Sequence, residues 1–227
     1  MPINATLQRP VVFGEVLFDR FPGGQAVLGG APFNVAWHLQ GFGLRPLLLS
    51  RVGSDEAGGR ILTAMRQWGM DTTGIQVDND HPTGAVEIHL EPDGHRFEIL
   101  PEQAYDFVDA RDAIEALGSV RAGLLYHGTL GSRHADSRRA LQRLIEAGAV
   151  PTFVDINLRP PWWEAETVLP WLAGASWLKL NEDELETIVA LVGIDAPDPQ
   201  SRARLLAERF AIGQVIVTLG AAGAMAV

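Results

Sequence analysis

Leu28-Gly29-Gly30-Ala31-Pro32-Phe33-Asn34-Val35-Ala36 marks a change of period. The glycine pair lets backbone approach a neighbour or a ligand with no Cβ in the way. Pro32 suits the first turn of a helix, where a missing N–H costs nothing. Val35, Ala36, Leu39 and Phe42 then recur at helical spacing, so one face packs inward. Asn34 falls in the first turn, beside free backbone N–H groups that favour polar or anionic partners. The stretch reads either as a plain turn into a core helix or as a junction that holds a polar small molecule.

Before this junction, Val11 to Asp19 is a nearly continuous apolar run carrying Glu15 and Asp19, and reads as one buried strand. Glu15 inside such a run needs a partner. Asp19, at its end, suits either a turn or the acceptance of hydroxyl hydrogen bonds. After it, Pro46–Ser50 reads as a strand, and Ser54 or Asp55 as the cap of a helix whose apolar face is Ile61, Leu62, Met65 and Trp68. Strand and helix alternate, which favours a parallel α/β sheet.

The segment Thr83–Leu100 breaks that rhythm. It reads as two strands joined at Pro92-Asp93-Gly94, and with Gln25–Leu28 it suggests a small separate sheet able to cover a site or pair with a second subunit. Arg96 on this hairpin either reaches a ligand or faces solvent. The alternation returns with strands at 122–126, 150–156, 175–180 and 214–218 and helices at 137–147, 183–192 and 201–210, and Gly223–Val227 begins another strand.

Ligands in open α/β sheets bind beyond the carboxyl ends of the strands, so strand ends are the place to look for chemistry. Asp155-Ile156-Asn157-Leu158-Arg159 puts acid, amide and guanidinium at one of them. Lys179-Leu180-Asn181-Glu182-Asp183-Glu184 ends another in oxygen ligands suited to water-bound Mg²⁺. Glu182 and Asp183 there are read as complementing a helix dipole. Val217-Thr218-Leu219-Gly220-Ala221-Ala222-Gly223 forms a turn that can lie against a nucleotide. His127 stands at a strand end near the presumed pocket.

Composition narrows the function classes. Apolar residues are 47% of the 227, charged residues 20%, and the net charge is −10 with no basic run, which argues against nucleic acid or an anionic membrane as the partner. There is no cysteine, hence no disulfide, thiolate metal site or cysteine nucleophile. The amino terminus reads as no signal peptide, and no run is long enough to span a membrane, so a soluble cytoplasmic protein of one domain, 1–227, is expected. No Walker-type phosphate loop occurs.

Taken together, Gly14-Glu15…Asp19, Gly29-Gly30-Ala-Pro-Phe-Asn34, Val52-Gly53-Ser-Asp55 with Gly58, Asp155-x-Asn157-x-Arg159 with Trp163, Asn181-Glu-x-Glu184 and Thr218-Leu-Gly220 with Gly223 resemble, in order, the motifs of the ribokinase-like (PfkB) carbohydrate kinases, in particular fructokinase-like members. The resemblance implies a three-layer α/β/α fold with a mainly parallel sheet and a β lid near 20–30 and 83–100. It implies ATP and Mg²⁺ as cofactors, a small-molecule sugar as substrate and a homodimer through the lid. By position it makes Asp19, Gly29, Gly30, Asn34, Arg96 and Arg159 substrate contacts, and Asn181, Thr218, Gly220 and Gly223 nucleotide contacts. Glu184 is the metal-associated carboxylate.

One motif of the family is missing from these 227 residues. Its Gly-Ala-Gly-Asp turn supplies the general base and an anion hole, so the base is expected beyond Val227, together with further strands and helices. The resemblance therefore implies fructose-type phosphorylation, impaired in this chain. A non-catalytic sugar-binding regulator, or a kinase for a keto-deoxy sugar acid held by Arg159, are the alternatives.

Overall fold

A computed structural model describes residues 8–91 and 94–227. Pro92 and Asp93 of the expected hairpin turn, and the amino-terminal Met-Pro-Ile-Asn, lie outside the described residues. The chain runs β1 (Arg9–Phe13), β2 (Leu17–Arg20), β3 (Ala26–Gly29), α1 (Ala31–Gly41), β4 (Leu47–Gly53), α2 (Glu56–Gln67), β5 (Ile75–Asp78), β6 (Gly84–Glu91) and β7 (Gly94–Ile99). It continues through α3 (Ala110–Gly118), β8 (Ala122–His127), α4 (Ala135–Gly148), β9 (Thr152–Asp155), α5 (Ala165–Leu172), β10 (Trp177–Asn181), α6 (Glu182–Leu191), α7 (Pro199–Phe210), β11 (Gln214–Thr218) and β12 (Ala224–Ala226).

Eight strands form one sheet in the order β12-β11-β10-β9-β8-β1-β4-β5. All neighbours are parallel except β11 and β12. Side chains alternate across it. Phe13, Leu49, Leu125, Val154, Leu178 and Val217 face α3–α7, whereas Val12, Leu48, Val52 and Tyr126 face α1 and α2. The sheet thus lies between two helical layers, and the parallel strands are buried on both faces, which is why they read as apolar runs. On the α1 side the aromatic row continues past the helices. Tyr126 stacks on Phe153 at 5.6 Å and Phe153 on Trp177 at 6.4 Å, and the latter two stay half-buried.

The second sheet is the lid, in the order β3-β2-β6-β7. Its existence corrects one reading: Val11–Asp19 is not a single strand. The chain leaves β1 at Gly14, whose φ of +147° is closed to other residues, and re-pairs after Val16 in the second sheet. Asp19 therefore belongs to the lid and not to the end of a core strand. Helices α3 and α5 and strand β5 were not anticipated, although in α3 Ala110, Ala113, Ile114 and Leu117 stand at helical spacing and pack on the core. Asp109 caps α3 by accepting from Arg111 and Asp112 N–H, and Pro170 sits inside α5.

Candidate functional site

The carboxyl ends of β1, β8, β9, β10 and β11 share one edge of the sheet, and the lid rises from the same edge. At the lid side, β2 pairs with β3 so that Leu17 opposes Gly29 and Asp19 opposes Val27. A Cβ on Gly29 would come 2.9 Å from Asp19 Oδ2, so the glycine leaves that carboxylate its space. Gly30 has φ +106°, and a Cβ there would lie 2.6 Å from the Glu15 carbonyl oxygen. Helix α1 starts at once, and Asn34 stands exposed in its first turn. Partial burial raises the Asp19 pKa. Asp19 and Asn34 thus flank a glycine pair at which a Cβ would clash, an arrangement able to exchange hydrogen bonds with hydroxyls.

Beneath them lies a buried polar cluster that the sequence hinted at only through Glu15. Burial lifts the Glu15 carboxyl to about 7, against the pull of backbone N–H groups, including that of Ala31, and of the Arg159 and Arg133 guanidiniums. Arg133 enters from the turn before α4. Its Nε and Nη2 donate to Asp106 at 2.8 and 2.7 Å, Nη2 also to the Leu100 carbonyl at 2.6 Å. The guanidinium lies over the Tyr105 and Trp162 rings at 5.2 and 4.3 Å. Glu15 Oε2, Tyr105 Oη and Arg133 Nη1 are buried without a hydrogen-bond partner. Such groups are costly in an empty protein and mark places where a ligand or water completes the bonding. Nothing in Ser132-Arg133-His134 signals this role at the level of sequence.

On the other side, Asn181 at the end of β10 stands opposite Thr218 at the end of β11. Asn181 caps α6 by accepting from Glu184 N–H at 2.8 Å. Glu184 is buried, and its two oxygens accept from Asn181 N–H and Leu158 N–H, each at 2.9 Å. Gly220 and Gly223, with φ +57° and +95°, turn the chain back antiparallel beside Thr218 and leave exposed backbone. These four residues line one open shelf. Direct metal ligation fits it poorly, since both Glu184 oxygens are already engaged, and no group of three metal-ligating side chains occurs among the described residues.

Arg159 joins the two sides. It follows Leu158, which Glu184 holds; it is exposed, and it donates to the Leu158 carbonyl at 3.1 Å. Arg96 lies elsewhere. It opposes His89, while Phe97 opposes Ile88 and shares the face of Val86 and Asp19. The alternation thus puts Arg96 on the lid face away from Asp19, where it pairs with Glu91 and Glu98 while more than half exposed. His127 also points away. Its ring meets Trp171 of α5 edge-on at 5.4 Å, Nδ1 donates to the Gly128 carbonyl, and burial pushes its pKa down to about 4.

Residues 7–227 match the family model described as pfkB family carbohydrate kinase. The chain belongs to that family. Fructokinase-1 of Zea mays is 30% identical over 234 residues, covering 94% of this chain and 71% of the relative. The solved fructokinase of Xylella fastidiosa with bound ATP superposes with a TM-score of 0.85 at 22% identity, covering 98% of this chain and 71% of that one. The fructokinase of Vibrio cholerae O395, in its fructose-, ADP- and calcium-bound form, gives a TM-score of 0.77 at 24% identity, over 97% and 73% of the two chains. The pfkB fold is thereby shown, with its mainly parallel sheet and small lid, as the ordered motifs implied. No helix among the described residues is long and apolar enough to cross a membrane.

Proposed function

We propose that this pfkB-family chain serves ATP-dependent phosphorylation of a sugar hydroxyl, with a fructose-like sugar as acceptor. The observation that carries the reading is the Asp19 carboxylate poised over Gly29 beside the φ-positive Gly30 and Asn34. The carboxylate and amide bind hydroxyls, and the lid keeps water from the acceptor. The Asn181, Thr218, Gly220 and Gly223 shelf takes the nucleotide phosphates through backbone N–H groups and short polar side chains. Arg159, between the two, neutralises charge developing on the transferred phosphoryl. The sugar oxygen attacks the γ-phosphorus, the bond to the β-phosphate oxygen breaks, and the hydroxyl proton leaves to a base. Mg²⁺, when bound with ATP, supplies charge neutralisation of the phosphates; with Glu184 engaged in capping, we assign it no ligand in this chain.

No Gly-Ala-Gly-Asp turn occurs in the 227 residues. A general base contributes about 10²–10⁴-fold, so we expect this polypeptide by itself to bind sugar and turn over slowly. Calorimetry with fructose and ATP, alongside a coupled kinase assay, tests the reading. Fructose binding that Asp19→Ala abolishes supports it, and absence of any sugar binding overturns it. Sugar binding without turnover, even in a longer polypeptide that carries the turn, selects the regulatory alternative. A sugar acid is a second acceptor class, favoured by the exposure of Arg159 and by its lack of a carboxylate partner among the described residues; Arg159→Ala then weakens the acid and spares fructose. We also propose a cytoplasmic homodimer. Val27, Leu90 and Phe97 are 43%, 65% and 62% exposed, and all three lie on the lid face that carries Asp19. Light scattering tests the dimer.

A further inference from the structure

A cleft of about 470 Å³ opens beside the buried cluster, between the segment after β7, the start of α4 and the loop into α5. Small-molecule sites usually fall between about 300 and 1,000 Å³. None of Asp19, Gly30, Asn34 or Arg159 lines it, so it is separate from the acceptor groups, yet Arg133 joins the two. The Arg133 side chain is 5% exposed, lines the cleft, acts on Glu15 and Tyr105 of the inner cluster, and keeps Nη1 unpartnered.

The walls say what chemistry fits. Trp162 and Trp163 line it half-buried, Trp162 with Arg133 over one ring face and Trp163 packed against the core. Around them stand Arg138, Asp106, Glu164 and Thr167, a mixture of donors and acceptors. Two arginines face three carboxylates once Glu102 is included, and Asp106 already neutralises Arg133. That balance disfavours a phosphate or carboxylate ligand and leaves little for a cation to gain. A neutral ring with C–H groups on one face and hydroxyls at its rim matches both the aromatic wall and the polar rim.

We propose that this cleft is a second carbohydrate subsite, taking one neutral hexose ring next to the acceptor sugar. The proposal rests on the sugar-kinase reading for the first ring only. The second ring comes either from the far end of a disaccharide that spans both places or from a separate hexose.

Titration calorimetry of the 227-residue chain distinguishes these. The probes are fructose and sucrose, a neutral disaccharide that contains a fructose ring. The variants are Trp162→Ala, Trp162→Phe and Asp19→Asn. A spanning ligand makes sucrose about tenfold tighter than fructose, as removal of one well-packed tryptophan contact costs on that order. Trp162→Ala then removes the advantage and Trp162→Phe keeps most of it. A separate hexose gives two fructose events, one weakened at least about tenfold in Asp19→Asn and the other lost in Trp162→Ala. A single fructose event that Asp19→Asn weakens at least about tenfold and Trp162→Ala leaves alone, with sucrose no tighter, overturns the subsite and spares the proposed function. Absence of any heat with either sugar overturns both. Thermal unfolding of each variant shows that a lost event is not a lost fold.

Discussion

The two ends of the ligand edge are built differently. On the lid side a buried polar cluster lies beneath half-buried Asp19 and exposed Asn34, and several of its groups lack partners: Glu15 Oε2, Tyr105 Oη and Arg133 Nη1. On the shelf side the groups are exposed, as at Gly220 and Gly223, half-buried, as at Thr218, or satisfied by one another, as in the Asn181–Glu184 capping box. The lid side is preorganised and carries unsatisfied bonding capacity. The shelf has none to spare and offers mainly open backbone. If the two ends take sugar and nucleotide as proposed, the first meets a buried polar cluster and the second an open surface.

Four substitutions can break that contrast or sharpen it, beginning with the largest effect. Gly30→Ala places a methyl 2.6 Å from the Glu15 carbonyl at a φ of +106°. Strain of this kind costs about 1–3 kcal/mol before the clash is added, so fructose binding should fall below detection by calorimetry; retained micromolar binding would show that the junction is not rigid. Asp19→Asn keeps the shape and removes the charge. Hydrogen bonds to charged groups contribute about 1.5–3 kcal/mol, which predicts a roughly 10–100-fold weaker sugar and an unchanged nucleotide affinity.

Glu184→Gln tests the shelf. One of its two oxygens becomes a donor, leaving either Leu158 N–H or Asn181 N–H unpaired. The expected cost is about 1–3 kcal/mol of stability, seen in denaturant unfolding, with fructose affinity held within a few-fold. Glu15→Gln is the mildest. A carboxyl held at about 7 in the fold against 4.5 outside it keeps its proton in the native state while the unfolded chain loses it. The Glu15 contribution to stability therefore declines as pH rises from 4.5 to about 7 and is level above, while buried His127, held neutral down to about 4, contributes a rise between about 4 and 6.5. Thermal melts across the window isolate Glu15 by difference: wild-type stability relative to the glutamine variant should fall as pH rises from 4.5 to about 7, and a constant difference would show that the Glu15 pKa is not raised.

Much of the lid side was legible because its constraints are local. Gly29-Gly30-Ala-Pro announces a tight junction into a helix within four residues, and α1 begins at Ala31 as that reading requires. Asn181 as the last residue of a strand followed by an acidic helix start was equally plain, and it is the cap of α6. What escaped depends on partners far along the chain. The split at Gly14 is fixed by which strands Leu17–Arg20 pair with, β3 and β6, and an apolar run cannot report that. Arg133 is buried because Asp106 lies across from it, 27 residues away. Arg96 was placed on the right hairpin, but a one-residue alternation decides the face, and register was not readable from composition.

The bridge through Glu184 has one more consequence. A single carboxylate holds the loop that carries Arg159 and the strand end that carries Asn181. Under the proposed function, a ligand that draws one segment would pull on the other through this carboxylate. Linkage makes that influence equal in both directions. On the proposed reading, sugar and nucleotide would share one hinge pin, two backbone N–H groups held by a single carboxylate.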